Sequence, residues 1–278
     1  MTACDAGFRR AAVPRRLYKF MRCDTLERVG YVRELLEHRR LKYSAVTAFN
    51  DPFEARPYIQ IPAGSREEQR VALLRHIKDV RRIATVPVTH ELSTYVEAGE
   101  FEKARDLFQE AIRIVLSGHP VACLAGTRRS ILMWSLYADS HRGVCVHLSG
   151  RLEPLRTAWP IIYRSDYPSL DLNWTHMSDR AFTDVCILTK SIHWRHEQEY
   201  RLISPVEGQD SEVALVAEVG TLLPGSVTGL TLGALIRDDV AACLSGAATA
   251  AGLAVWRAQR SDHQYRLMFQ RVRSRPAG

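Results

Sequence analysis

The sequence predicts an α+β fold: a single domain with a mixed, mostly antiparallel sheet and a helical insertion. Three observations lead there. Residues 65–118 read as helix throughout. From Val121 onward the pattern shifts to short apolar or alternating runs of strand length. No strand–helix alternation of the doubly wound kind spans the chain. At 278 residues the chain can bury a full core, and 46% hydrophobic and 25% charged residues are ordinary for a globular protein.

Taken in order, residues 1–16 read as a disordered basic lead, 17–270 as the domain and 271–278 as a basic tail. Leu17 to Phe20 is a short first strand. Thr25 to Arg39 is a helix, with Leu26, Val29, Val32, Leu35 and Leu36 at helical spacing. Leu41 to Ser44 is a second strand, running into the turn Phe49-Asn50-Asp51-Pro52-Phe53-Glu54, where Pro52 keeps Asp51 out of helical geometry. Ser65 and Glu68 have capping-box spacing. Val71, Leu74, Ile77 or Lys78, Val80 and Ile83 form the amphipathic stripe that follows, which stops before Pro87. A second helix starts near Glu100, presents Phe101, Ala104, Leu107 or Phe108, Ala111 and Val115, and stops at Gly118.

Beyond it, Val121 to Leu124 is a strand and Ile131 to Ala138 a short buried helix. Gly143 to Leu148 alternates as a half-buried strand, Ile161 to Arg164 is another, and Asp179 to Leu188 is a helix. Val213 to Val219, Leu230 to Leu232, Leu253 to Arg257 and Tyr265 to Phe269 are further strands, and Asp239 to Ala251 is an Ala-rich helix.

The formal charge of +7 is concentrated at the ends: Arg9, Arg10, Arg15 and Arg16 against Asp5, with Arg271, Arg273 and Arg275, account for six of the seven. The body is therefore close to neutral. Basic tails can hold a phosphate backbone loosely or simply aid solubility. Six scattered cysteines with no C-x-x-C argue against structural zinc and for a reducing compartment. No apolar run approaches a membrane span, so the expectation is a cytoplasmic protein with no membrane partner. P-loop, dinucleotide-fold glycine, nucleophile-elbow and H-E-x-x-H motifs are all missing from the sequence.

The densest chemistry lies between Thr189 and Pro205. Read as a strand, Glu197, Glu199 and Arg201 share one face, with Gln198, Tyr200 and Leu202 on the other. Adjacent carboxylates need solvent, Arg201 or a cationic ligand to tolerate one another. Trp194 and His196 stand ready to wall such a site. A second concentration runs from Trp134 to Gly143, where His141 and Arg142 suit an anion or a polarised carbonyl, or His141 simply caps a helix end. One pocket is expected to gather Asn50, Asp51, Trp134, Tyr137, His141, Arg142, Glu197, Glu199 and Arg201.

RLYKF at 16–20, FNDPFE at 49–54, LMWSLYADSHRGV at 132–144, and Lys190 with Trp194 to Arg201 resemble, in order, the recurring blocks of the bacterial domain-of-unknown-function 2971 family. The chain departs from that pattern at Leu136, where the family has His. The layout is also similar to that of ADP-ribosyltransferases: a Leu-Tyr-basic opening strand, a central aromatic segment and a late Glu-x-Glu strand. That resemblance implies cleavage of nicotinamide adenine dinucleotide (NAD) as substrate, with transfer to a nucleic-acid or protein acceptor. It assigns Glu199 to the ribosyl cation and Glu197 to acceptor activation. Tyr18 and Lys19 would hold the dinucleotide, with Trp134, Tyr137, His141 and Arg142, and Asn50, Asp51, Trp194 and Arg201 would complete the pocket. Two rivals stand beside it. One is a Mg²⁺-dependent nuclease or phosphodiesterase using Asp51, Glu54, Glu197 and Glu199 with Lys190 near a phosphate. The other is a non-enzymatic sensor or partner-binding module.

Overall fold

A computed structural model describes residues 12–80, 86–172, 174–204 and 219–272. The expected tails (1–11 and 273–278), Ile83, and residues 213–218 of an expected strand lie outside them. The placed chain begins before residue 17: Val13 packs on the core, and Arg15 accepts a hydrogen bond from the Gly150 amide.

The first half contains β1 (Arg16–Met21), α1 (Leu26–His38), β2 (Arg40–Lys42) and β3 (Tyr58–Ile59), then α2 (Arg66–Val80), α3 (Val86–Glu97) and α4 (Phe101–Ser117). It continues through β4 (Val121–Ala125), α5 (Ile131–Tyr137) and β5 (Val144–Ser149). The second half contains β6 (Trp159–Pro160), β7 (Ile162–Arg164), β8 (Ser169–Leu170), α6 (Asp179–Cys186), β9 (Thr189–Ser191) and β10 (Glu199–Ile203). It closes with β11 (Val219–Thr221), β12 (Val227–Leu232), α7 (Asp238–Ala250), β13 (Ala254–Arg260) and β14 (Leu267–Arg271). Among the described residues, no helix is long and apolar enough to cross a membrane.

Eight strands form one sheet in the order β14-β13-β12-β5-β1-β4-β10-β6. Every neighbouring pair is antiparallel except β12 and β13, which α7 joins as a crossover. This is a single α+β domain with a mixed, mostly antiparallel sheet. Alternation gives the sheet two apolar faces. Leu17, Val144, Val146, Leu148, Leu230 and Leu232 pack with α1 and α7 on one side. On the other, Phe20, Ala125 and Cys145 pack against Met133 and Trp134 of α5. Beside them Val121, Ile161 and Leu188 pack against the helices of the 65–118 block.

That block differs from expectation in detail. The segment between the two expected helices is itself helical, so α2, α3 and α4 make three. The capping box is present: the Ser65 amide donates to Glu68 Oε2 at 2.7 Å and the Glu68 amide to Ser65 Oγ at 3.3 Å. Val71, expected inside, is exposed; α2 buries Leu73, His76 and Ile77 instead. In α4 the buried stripe is Ala104, Phe108, Ile112 and Leu116, one position on from Ala111 and Val115. Leu26 at the start of α1 is 91% exposed, while Val29 packs partly buried on the core and Val32, Leu35 and Leu36 are buried. At the far edge Tyr265 is fully exposed and β14 starts at Leu267.

Between α5 and β5 the chain turns through Asp139, Ser140 and His141, three successive residues at φ between 48° and 69°. Such backbone persists only where its surroundings dictate it. Here the amides of Ser140, His141 and Gly143 donate to the carbonyls of Ser135, Trp134 and Ala138. Gly143 admits this closure because a Cβ there would stand 2.2 Å from the Met21 carbonyl oxygen. The turn fixes α5 over β1. Gly143→Ala is therefore expected to lower the unfolding free energy by about 1–3 kcal/mol, the usual cost of forcing extra volume into packed structure, as measured by urea denaturation.

Candidate functional site

Glu197 does not belong to the strand. It ends a 3₁₀ helix over Ile192–Glu197, Gln198 follows in the left-handed region at φ 46°, and β10 begins at Glu199. The expected continuous strand face is thus a helix end, a turn and a strand start. The Gln198 carbonyl accepts from the Gly126 amide at 2.8 Å, which ties the turn to the end of β4. The result is still convergence: both carboxylates reach one ammonium.

Lys190, from β9, donates from Nζ to Glu197 Oε2 at 2.5 Å and Glu199 Oε2 at 3.1 Å, and its Nζ lies 2.9 Å from Glu54 Oε1. Arg201 grips Glu199 with Nε at 2.7 Å from Oε1 and Nη2 at 3.2 Å from Oε2. It also donates to Glu54 and to the Ile187 carbonyl. The Phe49 ring lies 4.7 Å from the guanidinium. All five charged side chains are buried. The Tyr137 hydroxyl donates to Glu197 Oε1 at 2.5 Å, so both oxygens of Glu197 accept, as an ionised carboxylate does. The Tyr163 hydroxyl accepts from the Glu199 amide at 2.8 Å.

Three carboxylates against two cations leave one negative charge. Burial opposes ionisation of Glu199, but Arg201 and Lys190 outweigh it and hold its carboxyl at about 2, against an ordinary 4.5. Burial pushes Glu197 the other way, upward, with only Lys190 and the Tyr137 hydroxyl opposing. Burial also disfavours the Lys190 ammonium, yet its three carboxylates raise its pKa. Burial and then Glu197 raise the Tyr137 phenol. Cys123 is no nucleophile here, since burial and then Glu199 push its thiol up to about 12.

Beside this network lies a cavity of about 120 Å³, walled by the rings of Tyr18, Phe20, Phe49 and Tyr137 and floored by Glu197 and Glu199. Register explains the meeting: Tyr18 and Glu199 both pair with Ala125, so the three lie in one row across β1, β4 and β10, on one face. Asn50 lines the cavity against the Tyr137 hydroxyl.

Other expected members lie elsewhere. Lys19 is among the residues lining the cavity, but its side chain alternates away from Tyr18: its ammonium donates to the Cys123 carbonyl at 3.0 Å, and it also lines a groove with Tyr31 and Glu34. Asp51 is spent on its own turn, accepting from the Phe53 amide at 2.9 Å, and lines a separate cavity with Arg164 and Tyr167. Trp134 is fully buried, with its indole N–H on the Arg128 carbonyl, and serves packing. His141 stacks on Trp134 and lines an outer groove of about 1080 Å³ beside β13 and β14, and Arg142 is exposed. Trp194 meets the network from outside, its ring 5.1 Å from the Lys190 ammonium. The expected single pocket therefore keeps Asn50, Tyr137, Glu197, Glu199 and Arg201 and loses Asp51, Trp134, His141 and Arg142.

For the rival metal reading, Glu54, Glu197 and Glu199 do come together, but the Lys190 ammonium holds the central position that a bridging cation needs. Among the described residues, no group of three or more His, Cys, Asp or Glu has metal-binding geometry. The members that sequence reasoning missed are Phe20, Phe49 and Met133 of the wall and Tyr163 beneath Glu199. Phe49 was marked by its place in the aromatic-flanked turn; the others look like ordinary core.

Comparison with protein-family models, curated proteins and solved structures finds no match to this chain.

Two outcomes follow. Arg201→Leu leaves Glu54 and Glu199 buried without their main partner and is expected to cost about 3–5 kcal/mol of stability in denaturant melts. Because the folded-state value of Glu199 lies below its ordinary one, its contribution is complete above pH 4.5 and is lost as pH falls from there through about 2. Stability measured against pH should decline across that window, and more shallowly in Glu199→Gln.

Proposed function

We propose that the protein cleaves the nicotinamide–ribose bond of NAD, in the manner of an ADP-ribosyltransferase, with the cationic nicotinamide ring in the aromatic cavity. The C–N bond breaks with its electron pair leaving on neutral nicotinamide, and the ribosyl carbon bonds to a nucleophilic group of an acceptor, or to water, which gives up a proton. The observation that supports this reading best is a surplus negative charge facing four aromatic rings. Aromatic faces and a nearby carboxylate favour a planar cation. The same charge favours the ribosyl cation that develops as the bond breaks, which lowers the barrier and not merely the ground state. A cavity of about 120 Å³ is well below the roughly 300–1,000 Å³ of a site for a whole drug-sized ligand. It suits one ring, with the remainder of the dinucleotide outside.

The geometry moves the leading role from Glu199 to Glu197. Glu199 has both oxygens engaged by Arg201 and Lys190, so its charge is neutralised in place. Glu197 shares one cation with two other carboxylates and takes its second bond from a neutral phenol. The surplus charge therefore resides at Glu197. Glu199 holds Lys190 and Arg201 in position, and Tyr137 orients Glu197.

Nicotinamide release from NAD tests this directly. Glu197→Gln keeps the shape and is expected to lower turnover by about 10²–10³ while leaving dinucleotide affinity within a few fold, as for loss of one electrostatic stabiliser. Tyr137→Phe removes the orienting bond and is expected to lower turnover less. A wild-type chain that neither binds nor cleaves NAD, or a Glu197→Gln variant of full activity, overturns the proposal.

A further inference from the structure

Arg128 stands out among the described residues as a half-buried guanidinium with no carboxylate partner. It leaves the end of β4 just before α5 and lies across the sheet face that holds Tyr18. Its Cζ is 4.3 Å from the centroid of Phe269 and 5.2 Å from that of Trp256. Its Nη1 reaches Thr231 Oγ1 at 3.1 Å and His147 Nε2 at 3.3 Å. His147 Nε2 also lies 2.7 Å from Thr231 Oγ1, and because a guanidinium only donates, its contact with Nε2 is a hydrogen bond in the neutral tautomer whose Nε2 carries no proton. Burial, then Arg128 and Arg16, agree with this by pushing His147 down to about 3. The polar neighbours of Arg128 are therefore uncharged, and the nearby ionic groups, Arg129 and Arg16, are also cationic.

A desolvated cation in positive surroundings has unspent capacity for an anion, and the planar fork of Arg matches phosphate oxygens. The position adds to this. Tyr18 walls the aromatic cavity, and its ring meets the His147 ring edge-on at 5.3 Å, so two rings, Tyr18 and His147, stand between the acidic site and the basic one. We propose that Arg128 anchors a diphosphate, taking the anionic centre of the nucleotide whose cationic ring enters the cavity. This rests on the reading of the cavity given above, and it makes the two charges of the site match the two ends of a zwitterionic ligand.

Isothermal titration of the full chain with inorganic pyrophosphate and with ADP tests the anchor without any chemistry. The wild-type chain should bind both. Arg128→Met should bind about tenfold more weakly or worse, as loss of a charged hydrogen bond predicts, while Glu197→Gln binds as wild type. Absence of binding to the wild-type chain, or undiminished binding to Arg128→Met, overturns the anchor. Should Arg128→Met not fold, arginine-selective modification of the wild-type chain with phenylglyoxal and peptide mapping gives the answer. Labelling of Arg128 should fall when pyrophosphate is present, and equal labelling overturns the proposal. If anion binding depends on Arg128 but NAD is not cleaved, the anchor stands and the proposed reaction falls. If NAD is cleaved equally well by Arg128→Met, the reaction stands and the anchor falls.

Discussion

The tightest requirement in this molecule is a buried lysine ammonium set among three carboxylates. Taking such charges out of solvent costs several kcal/mol each, and only near-complete pairing offsets it. The pairing here is near-complete because four separate segments supply it: the 49–54 turn gives Glu54, β9 gives Lys190, a 3₁₀ end gives Glu197, and β10 gives Glu199 and Arg201. No local stretch could satisfy Lys190 alone. The network is a constraint on the fold as much as a site within it.

Around that constraint the sheet sorts charge by position. One face is given over to α1, α7 and an apolar core. On the other, the row Tyr18–Ala125–Glu199 brings the first and the late strand to a single point, with small Ala125 leaving room above the intervening strand. Moving from β10 toward β12 along this face, the sign of the field reverses. An acidic surplus at Glu197 gives way, past Tyr18 and neutral His147, to unpaired Arg128. Aromatic side chains line both halves, a surface able to accept planar groups.

Much of the architecture was legible from periodicity, because burial imposes it directly. The strand through Val144, Val146 and Leu148 was visible, although it is buried on both faces and not half-buried, since Cys145 and His147 are covered too. The stripe of α4 was visible but displaced by one position because neighbouring apolar residues blur the phase. Site residues were legible only where chemistry was dense. Glu197, Glu199, Arg201, Asn50 and Tyr137 announced themselves, but the strand reading of Glu197 failed because no propensity marks Gln198 for a left-handed turn. Trp134, His141 and Arg142 misled for a physical reason: polar and aromatic crowding there builds a strained turn and its packing, not a lining. Arg128 passed unnoticed, since an arginine with no carboxylate partner among the described residues looks no different in sequence from one that has such a partner.

The pairing of Glu54 with Arg201 spans 147 positions of chain. Between them lie α2, α3, α4, β4 and β5, so this ion pair ties the segment before the helical block to a late strand of the sheet. Closing so long a loop carries an entropy cost that one ion pair does not offset, so the packing of the intervening elements must meet it. The acidic cluster is therefore complete only where the 49–54 turn meets β9 and β10, and anything that displaces that turn disturbs both cations at once.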